Sequence, residues 1–576
     1  MDEPIQYELF FGPEALLGAL IGALLLTLPI SFFLLARYRR AVLKSMMSRA
    51  DVPSPPAPPV IVTPSPPAAP PQGTSPNASL PAVFLDAGAD IPLSPTAKPL
   101  HDRFWSRPRQ AALVYGIAGV VYAVLSGVLT LVASGMEVLP QRTAVTILTG
   151  LWPVVLTLPL VWREPGWKWY PAALGVYFGL SALAAQEYFV KLVLLYWAVT
   201  WLVPTVAVWI LANREVRAVG PFVLVTSTLL IFTWGVLLVL GYWLLTHVSA
   251  PGTEHIVSAL PFVALALSIG ASWLYVRAIA RAHERHWLGE QSALVDCYYA
   301  AFTVWQTLST VSSEGTRGAL QLLPFVGYRI VVAIGMSAMR RAAAAERPRR
   351  LLLLRVFGSR SRSERLFEAV AAHWRYAGSI QMIAGTDLAS ATLEPHEFLD
   401  FMGGTLSRRF IKGRADLSER LARLDTRPDA DGRFPVNEFF CHDDTWQDVL
   451  LHLVAESDVV LMDLRTFSPQ RQGCVFELHQ LLNLIPLGRV ILLVDNTTDV
   501  PFLRSVLEQG WADLAAESPN RDGRGGTLRV LNLPAGKDAA DTLLTLLAEA
   551  GTFAARPSPP TPDLPPGVPS EMVRYG

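Results

Sequence analysis

Charge is scarce in this chain. Only 17% of its 576 residues are Asp, Glu, Lys or Arg, where soluble domains carry roughly a quarter. What charge there is cancels, 48 acidic against 48 basic residues. A general nucleic-acid binder shows a basic excess, so the balance argues against nucleic acid as a partner. Three cysteines, Cys297, Cys441 and Cys474, are too few for a disulfide framework and show no CxxC spacing, which fits a reducing compartment. The first apolar run has no basic stretch before it and no small-residue cleavage site after it, so it is not a removable signal peptide. Walker A and GxGxxG loops are missing as well. Neither a Ser-His-Asp arrangement nor a paired set of metal ligands can be located.

What is abundant is apolar surface, 51% of residues, together with 16 tryptophans. Residues 16–36 are uncharged for about the 20 residues that a helix needs to cross a bilayer. Acidic residues precede them and Arg37, Arg39, Arg40 and Lys44 follow, which predicts a retained anchor (1–50) with its N-terminus outside. Further spans are expected near 111–133, 143–162, 170–185, 190–212, 219–246 and 255–276. Loops 103–109, 163–168, 213–217 and 277–285 are rich in Arg or Lys, and the alternate loops are poor in them. The pattern predicts seven spans in a cell (inner) membrane, N-terminus out and C-terminus in, with Trp152, Trp162, Trp167, Trp169, Trp201 and Trp243 toward the interfaces.

Between anchor and six-span bundle (101–285), residues 51–100 are rich in Pro, Ala and Ser. They read as an unstructured tether, as does the tail 552–576. Residues 286–346 hold two semi-apolar stretches, 293–313 with Asp296 and 319–339 with Arg329. These fit either a membrane hairpin or interfacial helices. Ionisable residues are otherwise rare inside the spans, which argues against a transport path and for an anchor or sensor.

From residue 347 to 551 short apolar runs alternate with amphipathic segments. Strands are predicted at 351–357, 379–384, 436–441, 458–464, 488–494 and 527–533. Helices are predicted near 363–376, 395–411, 416–424, 444–456, 473–484, 499–511 and 538–550. The fold class is therefore a helical transmembrane bundle followed by a cytosolic α/β domain with a mostly parallel, flavodoxin-like sheet. Ligands of such sheets bind beyond the carboxyl ends of the strands, which directs attention to loops 358–362, 385–394, 442–445, 465–472 and 495–499. In the first, Ser359, Arg360 and Arg362 open a helix, where serine caps and arginine suits a phosphate; a solvated capped turn is the plainer reading. Cys441-His442-Asp443-Asp444 has the composition of a metal cluster but reads better as a strand-to-helix cap.

The fourth loop runs from Ser457-Asp458 through Asp463 and Arg465 to Gly473-Cys474-x-x-Glu477-Leu478. It resembles the Toll/interleukin-1 receptor (TIR) domain, where a strand and a serine-containing loop lead into a Trp-Cys-x-x-Glu-Leu helix. It also resembles the nucleoside deoxyribosyltransferases, with their Gly-Thr-x-x-Glu-Leu. Gly473 stands where the TIR motif has tryptophan, and Arg465 stands near the place of its serine. The opening segment, Arg355-Val356-Phe357 to Trp374, is similar to the start of a TIR domain.

In both families the glutamate acts at a ribosyl carbon as an N-glycosidic bond breaks, where a fixed carboxylate stabilises an oxocarbenium-like state. The resemblance implies that Glu477 is catalytic, that Ser359, Arg360, Arg362, Asp387, Asp463 and Arg465 line the pocket, and that NAD or a related nucleotide is substrate rather than resident cofactor. The function it implies is membrane-tethered signalling or defence in a bacterium. Three other readings stand beside it. Glu477 also fits a first-turn carboxylate favoured by the helix dipole. The domain also fits a non-enzymatic module that assembles with itself. A transporter with a regulatory domain would require a polar path through the bundle.

Overall fold

The structure, a computed structural model, describes residues 13–46, 79–161, 172, 175–180, 183, 220–248, 251–284, 290–344, 347–355, 360–384, 401, 410–422, 424, 426–442, 445–522, 524–533 and 540–553. The chain divides into two compact units, residues 1–73 with 103–453 and residues 74–102 with 454–576.

The apolar runs form helices α1 (Pro13–Met46), α2 (Lys98–Ala133), α3 (Pro140–Gly150), α4 (Trp152–Val161), α5 (Gly220–His247), α6 (Thr253–Glu284), α7 (Glu290–Glu314) and α8 (Leu323–Ala344). A 3-10 segment, Gly315–Leu322, joins the last two. Among the described residues three stretches are long and apolar enough to cross a membrane: Lys98–Ala133, His255–Tyr275 and Gly315–Ala342. Val223–Trp234 is apolar but shorter. The expected span at 143–162 is instead broken at Leu151 into α3 and α4. Pro153 accounts for the break, since it cannot donate to a preceding turn. The span expected at 170–185 is described only in part, and the one at 190–212 lies outside the described residues. Trp152, expected at an interface, is fully buried against Tyr177, ring centroids 5.2 Å apart.

Small residues let these helices approach closely. A Cβ on Gly127 of α2 would stand 2.8 Å from the backbone nitrogen of Ile147 in α3, and one on Gly150 would stand 3.0 Å from the Ala123 carbonyl oxygen. Gly335 of α8 meets Val114 of α2 in the same way at 2.6 Å, and Gly327 meets Leu125 at 2.5 Å. Thus α8 runs antiparallel along α2. The other end of α1 has a different role. Tyr38 and Val42 pack with Ala384, Phe410 and Phe440, and the Tyr38 ring lies edge-on to Phe401, centroids 5.5 Å apart.

The sheet is parallel and has eight strands, ordered β1-β8-β7-β6-β2-β3-β5-β4. They are β1 (Ala82–Asp86), β2 (Arg349–Arg355), β3 (Gly378–Ala384), β4 (Phe410–Ile411), β5 (Val436–Cys441), β6 (Val459–Asp463), β7 (Val490–Val494) and β8 (Leu528–Asn532). Every residue of β6 and β7 is buried, as uninterrupted β-branched and leucine runs require when helices cover both faces. The helices are α9 (Arg360–Trp374), α10 (Arg414–Ala422), α11 (Trp446–Glu456), α12 (Gln472–Leu484), α13 (Val500–Ala512) and α14 (Ala540–Thr552). Asp499 caps α13, its carboxylate accepting from the Phe502 N–H at 3.0 Å, and a proline opens the helix. Of the residues that meet α1, Ala384 closes β3, Phe440 is the last residue but one of β5, and Phe410 opens the two-residue β4 opposite Phe440. In the first unit that rim of the sheet is therefore covered by the end of the first apolar helix.

Two strands depart from expectation. Residues 51–100 do not remain a tether to their end, because Ala82–Asp86 pairs in register with Leu528–Asn532. The Leu528 N–H donates to the Pro81 carbonyl at 2.8 Å, and Ala87 N–H donates to Asn532 at 3.0 Å. An edge strand needs only one row of backbone bonds, so flanking prolines without N–H groups do it no harm. The chain then returns along α14: Ser94 N–H donates to Glu549 at 2.5 Å, and His101 approaches Asp541 at 3.9 Å. Of the helix expected over 395–411 only 401, 410 and 411 are described, and Phe410–Ile411 form β4, paired with Phe440 and Cys441.

Replacing Gly127 by leucine is expected to overpack the α2–α3 contact and cost about 1–3 kcal/mol, whereas Gly22→Ala, with open space around it, is expected to be harmless. Thermal unfolding of the purified protein followed by tryptophan fluorescence measures both; equal melting of the two variants would show that the helices tolerate separation.

Candidate functional site

Buried ionisable groups gather at the carboxyl ends of β6 and β7. Asp463 closes β6 at 2% exposure, Arg465 follows at 8%, and Asp495 comes directly after β7 at 4%. The Arg465 guanidinium grips Asp463 in a fork, Nε to Oδ1 and Nη2 to Oδ2 both at 2.7 Å. Its backbone N–H also donates to Oδ1 at 3.2 Å. Burial pulls the guanidinium down. The bond to Asp463, the charge of Asp463 and then the charge of Asp495 outweigh it, and Arg465 is held above its usual value. One carboxylate is thus bonded to the cation and a second acts on it through space, in a place water hardly reaches.

Threonines lock the two loops together. Thr497 donates its N–H to Asp495 at 2.9 Å, and its hydroxyl accepts from the Thr466 N–H at 3.1 Å. The Thr498 hydroxyl accepts from the Asp495 N–H at 3.1 Å and donates to the Leu464 carbonyl at 3.0 Å. Thr466 has φ 69°, the one left-handed non-glycine among the described residues. For a β-branched residue this is a strained position that the neighbouring bonds must hold. Phe467 stacks on Phe502 at 5.4 Å beneath it.

Glu477 does not stand in the first turn of its helix. With α12 starting at Gln472, it occupies the sixth position, and the first turn carries no acidic residue. The dipole explanation for its presence is therefore set aside, because that effect is confined to the first turn. Glu477 is buried, at 4% exposure, beside Cys474 one turn earlier. Burial raises the Cys474 thiol first, and the Glu477 charge and a hydrogen bond to that carboxylate raise it further. In the first unit burial likewise pushes the Cys441 thiol up to about 12, with Arg420 partly opposing.

Of the expected site residues, Asp463 and Arg465 are in direct contact and Glu477 is buried on the helix that follows them. Ser359 and Asp387 lie outside the described residues. Arg360 and Arg362 fall in the first turn of α9, whose backbone alone is described there. Asp443 and Asp444 also lie outside; His442 is held by Thr445, whose hydroxyl accepts from its N–H at 3.1 Å. Asp495, Thr497 and Thr498 were not singled out by the sequence, although Asp-x-Thr-Thr directly after an apolar strand is a signal for a hydroxyl-braced rim. Comparison with family models, curated proteins and solved structures finds no match to this chain.

Asp463→Ala, which strands a buried guanidinium, is expected to cost about 3–5 kcal/mol, and Asp463→Leu with Arg465→Met is expected to recover much of it. Denaturant unfolding of the single and double variants measures this; a single variant as stable as the parent would mean that the fork carries no net charge coupling. The thiols yield a second expectation. Their raised values leave them protonated at pH 8, so Cys441 and Cys474 should resist alkylation in the native protein and react on unfolding. Because the folded thiols keep protons that unfolded ones release near pH 8.5–9, they also subtract stability above that pH. Mass spectrometry of iodoacetamide-treated protein reads the labelling.

Proposed function

We propose that this is a membrane-anchored signalling protein whose α/β domain binds a nucleotide at the carboxyl ends of the central strands. The observation that carries the reading is the buried Asp463–Arg465–Asp495 cluster standing where parallel sheets place their ligands. The succession β3-β2-β6-β7-β8 within the sheet is the flavodoxin-like order, which supports a TIR-like or deoxyribosyltransferase-like domain. Arg-rich sequence at the start of α9 suits a phosphate. A cell (inner) membrane location, N-terminus out and domain in, follows from the alternating loop charge and is supported by three helices of spanning length.

Within this reading Glu477 acts at the ribosyl carbon of NAD or a relative. Its burial requires that substrate entry open the rim, so the enzyme is quiet until triggered. A second reading, assembly without catalysis, draws on a different observation. β1 is an edge strand with Val83 and Phe84 exposed by 46% and 47%, and such an edge templates pairing with another copy.

Full-length protein in nanodiscs, incubated with NAD, distinguishes the two. A thermal midpoint that rises with NAD, and nicotinamide release reduced about 10²–10⁴-fold by Glu477→Gln, is the expected result. A chain that neither binds nor cleaves NAD but runs as an oligomer, broken by Val83→Lys, would move the function to assembly.

A further inference from the structure

Helix α1 has two faces that divide cleanly. Thr27, Ser31, Leu35, Tyr38 and Val42 follow one another by three or four residues and are all buried, at 5% exposure or less. The Thr27 hydroxyl lies 2.9 Å from that of Ser227 on α5, and Tyr38 and Val42 seat on Ala384, Phe410 and Phe440 of the sheet. The opposite face is open. It carries Leu25, Phe32 and Phe33, exposed by 70%, 47% and 60%, and then changes character to Arg37, Arg40 and Lys44, all exposed. Among the described residues none of these three cations has an ion-pair or hydrogen-bond partner.

Helix rise fixes the level of that change. The uncharged run 16–36 rises about 30 Å, the hydrocarbon thickness of a bilayer. From Arg37 to Lys44 the helix rises ~10 Å more, which carries the three cations through the headgroup layer. Side chains of this type lay their stems along apolar surface and put their charge among the headgroups. Helix α6 repeats the pattern at its own end. There Arg277 stacks over the exposed Trp273 at 5.0 Å, and the exposed Arg281 stands one turn further on. Tryptophan followed by arginine marks a helix leaving a bilayer on its basic side.

We propose that Arg37, Arg40 and Lys44 bind anionic phospholipid headgroups of the cytoplasmic leaflet, and that this contact holds Tyr38 and Val42 in the carboxyl rim of β3 and β5. The proposal rests on the membrane reading of the helices and does not need the nucleotide site. Charge selects the partner, because an anionic leaflet attracts juxtamembrane Lys and Arg. Continuity selects a lipid over an acidic protein, because the three cations prolong the face that Leu25, Phe32 and Phe33 turn outward. The two faces share the same helical turns: Arg37 adjoins Tyr38, and Lys44 stands two residues beyond Val42. Whatever fixes the depth and rotation of the basic face therefore fixes the contact with the sheet.

The test uses the full chain in liposomes of phosphatidylcholine, with and without phosphatidylglycerol. Flotation after a carbonate wash first establishes insertion. Ala384→Cys places a thiol beneath Tyr38, and mass spectrometry reads its alkylation by iodoacetamide. The thiol is expected to react about fivefold more slowly in anionic than in neutral liposomes. Arg37→Gln with Arg40→Gln and Lys44→Gln is expected to restore the faster rate. Arg142→Gln with Arg521→Gln and Arg524→Gln removes three exposed charges elsewhere and is expected to leave the rate low. Surface potential alone acts alike on all variants, so the comparison within anionic liposomes decides. High salt screens the contact and is expected to restore the faster rate without any change of charge, which tests the proposal even if the triple variant does not insert. The thermal midpoint of the chain without the added cysteine is expected to be higher in anionic liposomes. Equal rates in the two lipids, or a low rate that survives loss of Arg37, Arg40 and Lys44, overturns the lipid contact alone. Protein that does not float overturns the membrane reading and the contact with it.

Discussion

A carboxylate enclosed by helices survives only if its charge is answered at contact distance, and Asp296 is answered twice, by Arg329 and by the Tyr328 hydroxyl. Both partners sit on α8, so the ion pair fixes the rotation and depth of α8 against α7. That register in turn seats Gly327 and Gly335 on α2 and lets the 3-10 segment deliver Gln321 to Ser126 and Thr130. One charge pair thereby sets the geometry of three helices. At the other end of the same packing, a Cβ on Gly432 would stand 3.8 Å from Met339, so α8 passes close to the loop that leads into β5.

The sheet obeys a different constraint. Strands β6 and β7 are apolar up to their ends, so they carry packing and their polar chemistry is confined to where they end, whereas β3 and β5 bury Gln381 and Glu438 within the strand. At the ends of β3, β4 and β5 that space is filled by Tyr38 and Val42 of α1. At the ends of β6 and β7 it is filled by the Asp463–Arg465 fork and the Asp495 carboxylate, stitched by threonine hydroxyls. The first end is closed by hydrophobic contact and the second by charge.

Six strands and most helices of the α/β part were legible because runs such as Val-Ile-Leu-Leu-Val leave no other local option. Ala82–Asp86 and Phe410–Ile411 were not. The first is five residues inside proline-rich sequence, and the second is a two-residue bridge whose pairing depends wholly on β5. Asp463, Arg465 and Glu477 could be singled out from their motif, but the position of Glu477 in its helix could not, since Arg471 offers no capping signal before Gln472. The polar contacts between α2 and α7, Tyr122 with Thr303 and Ser126 with Gln306, were not legible for a chemical reason. Serine and threonine in helices commonly bond back to the carbonyl four residues earlier, as Thr130 and Thr303 do here, so their hydroxyls look spent. Only the apposition of α2 and α7 shows them facing one another.

Strand β1 places a condition on how the molecule is made. Its partner β8 begins 446 positions later, Ala82 opposite Leu528. At the roughly 5–20 residues per second of translation, residues 82–86 wait on the order of 20–90 s for that partner to emerge. During that time every preceding apolar helix has already left the ribosome, and the strand remains unpaired. A chain that stops short of residue 528 never closes this edge. The outermost strand therefore reports that synthesis has passed residue 532: synthesis, not only sequence, decides when the sheet acquires its boundary.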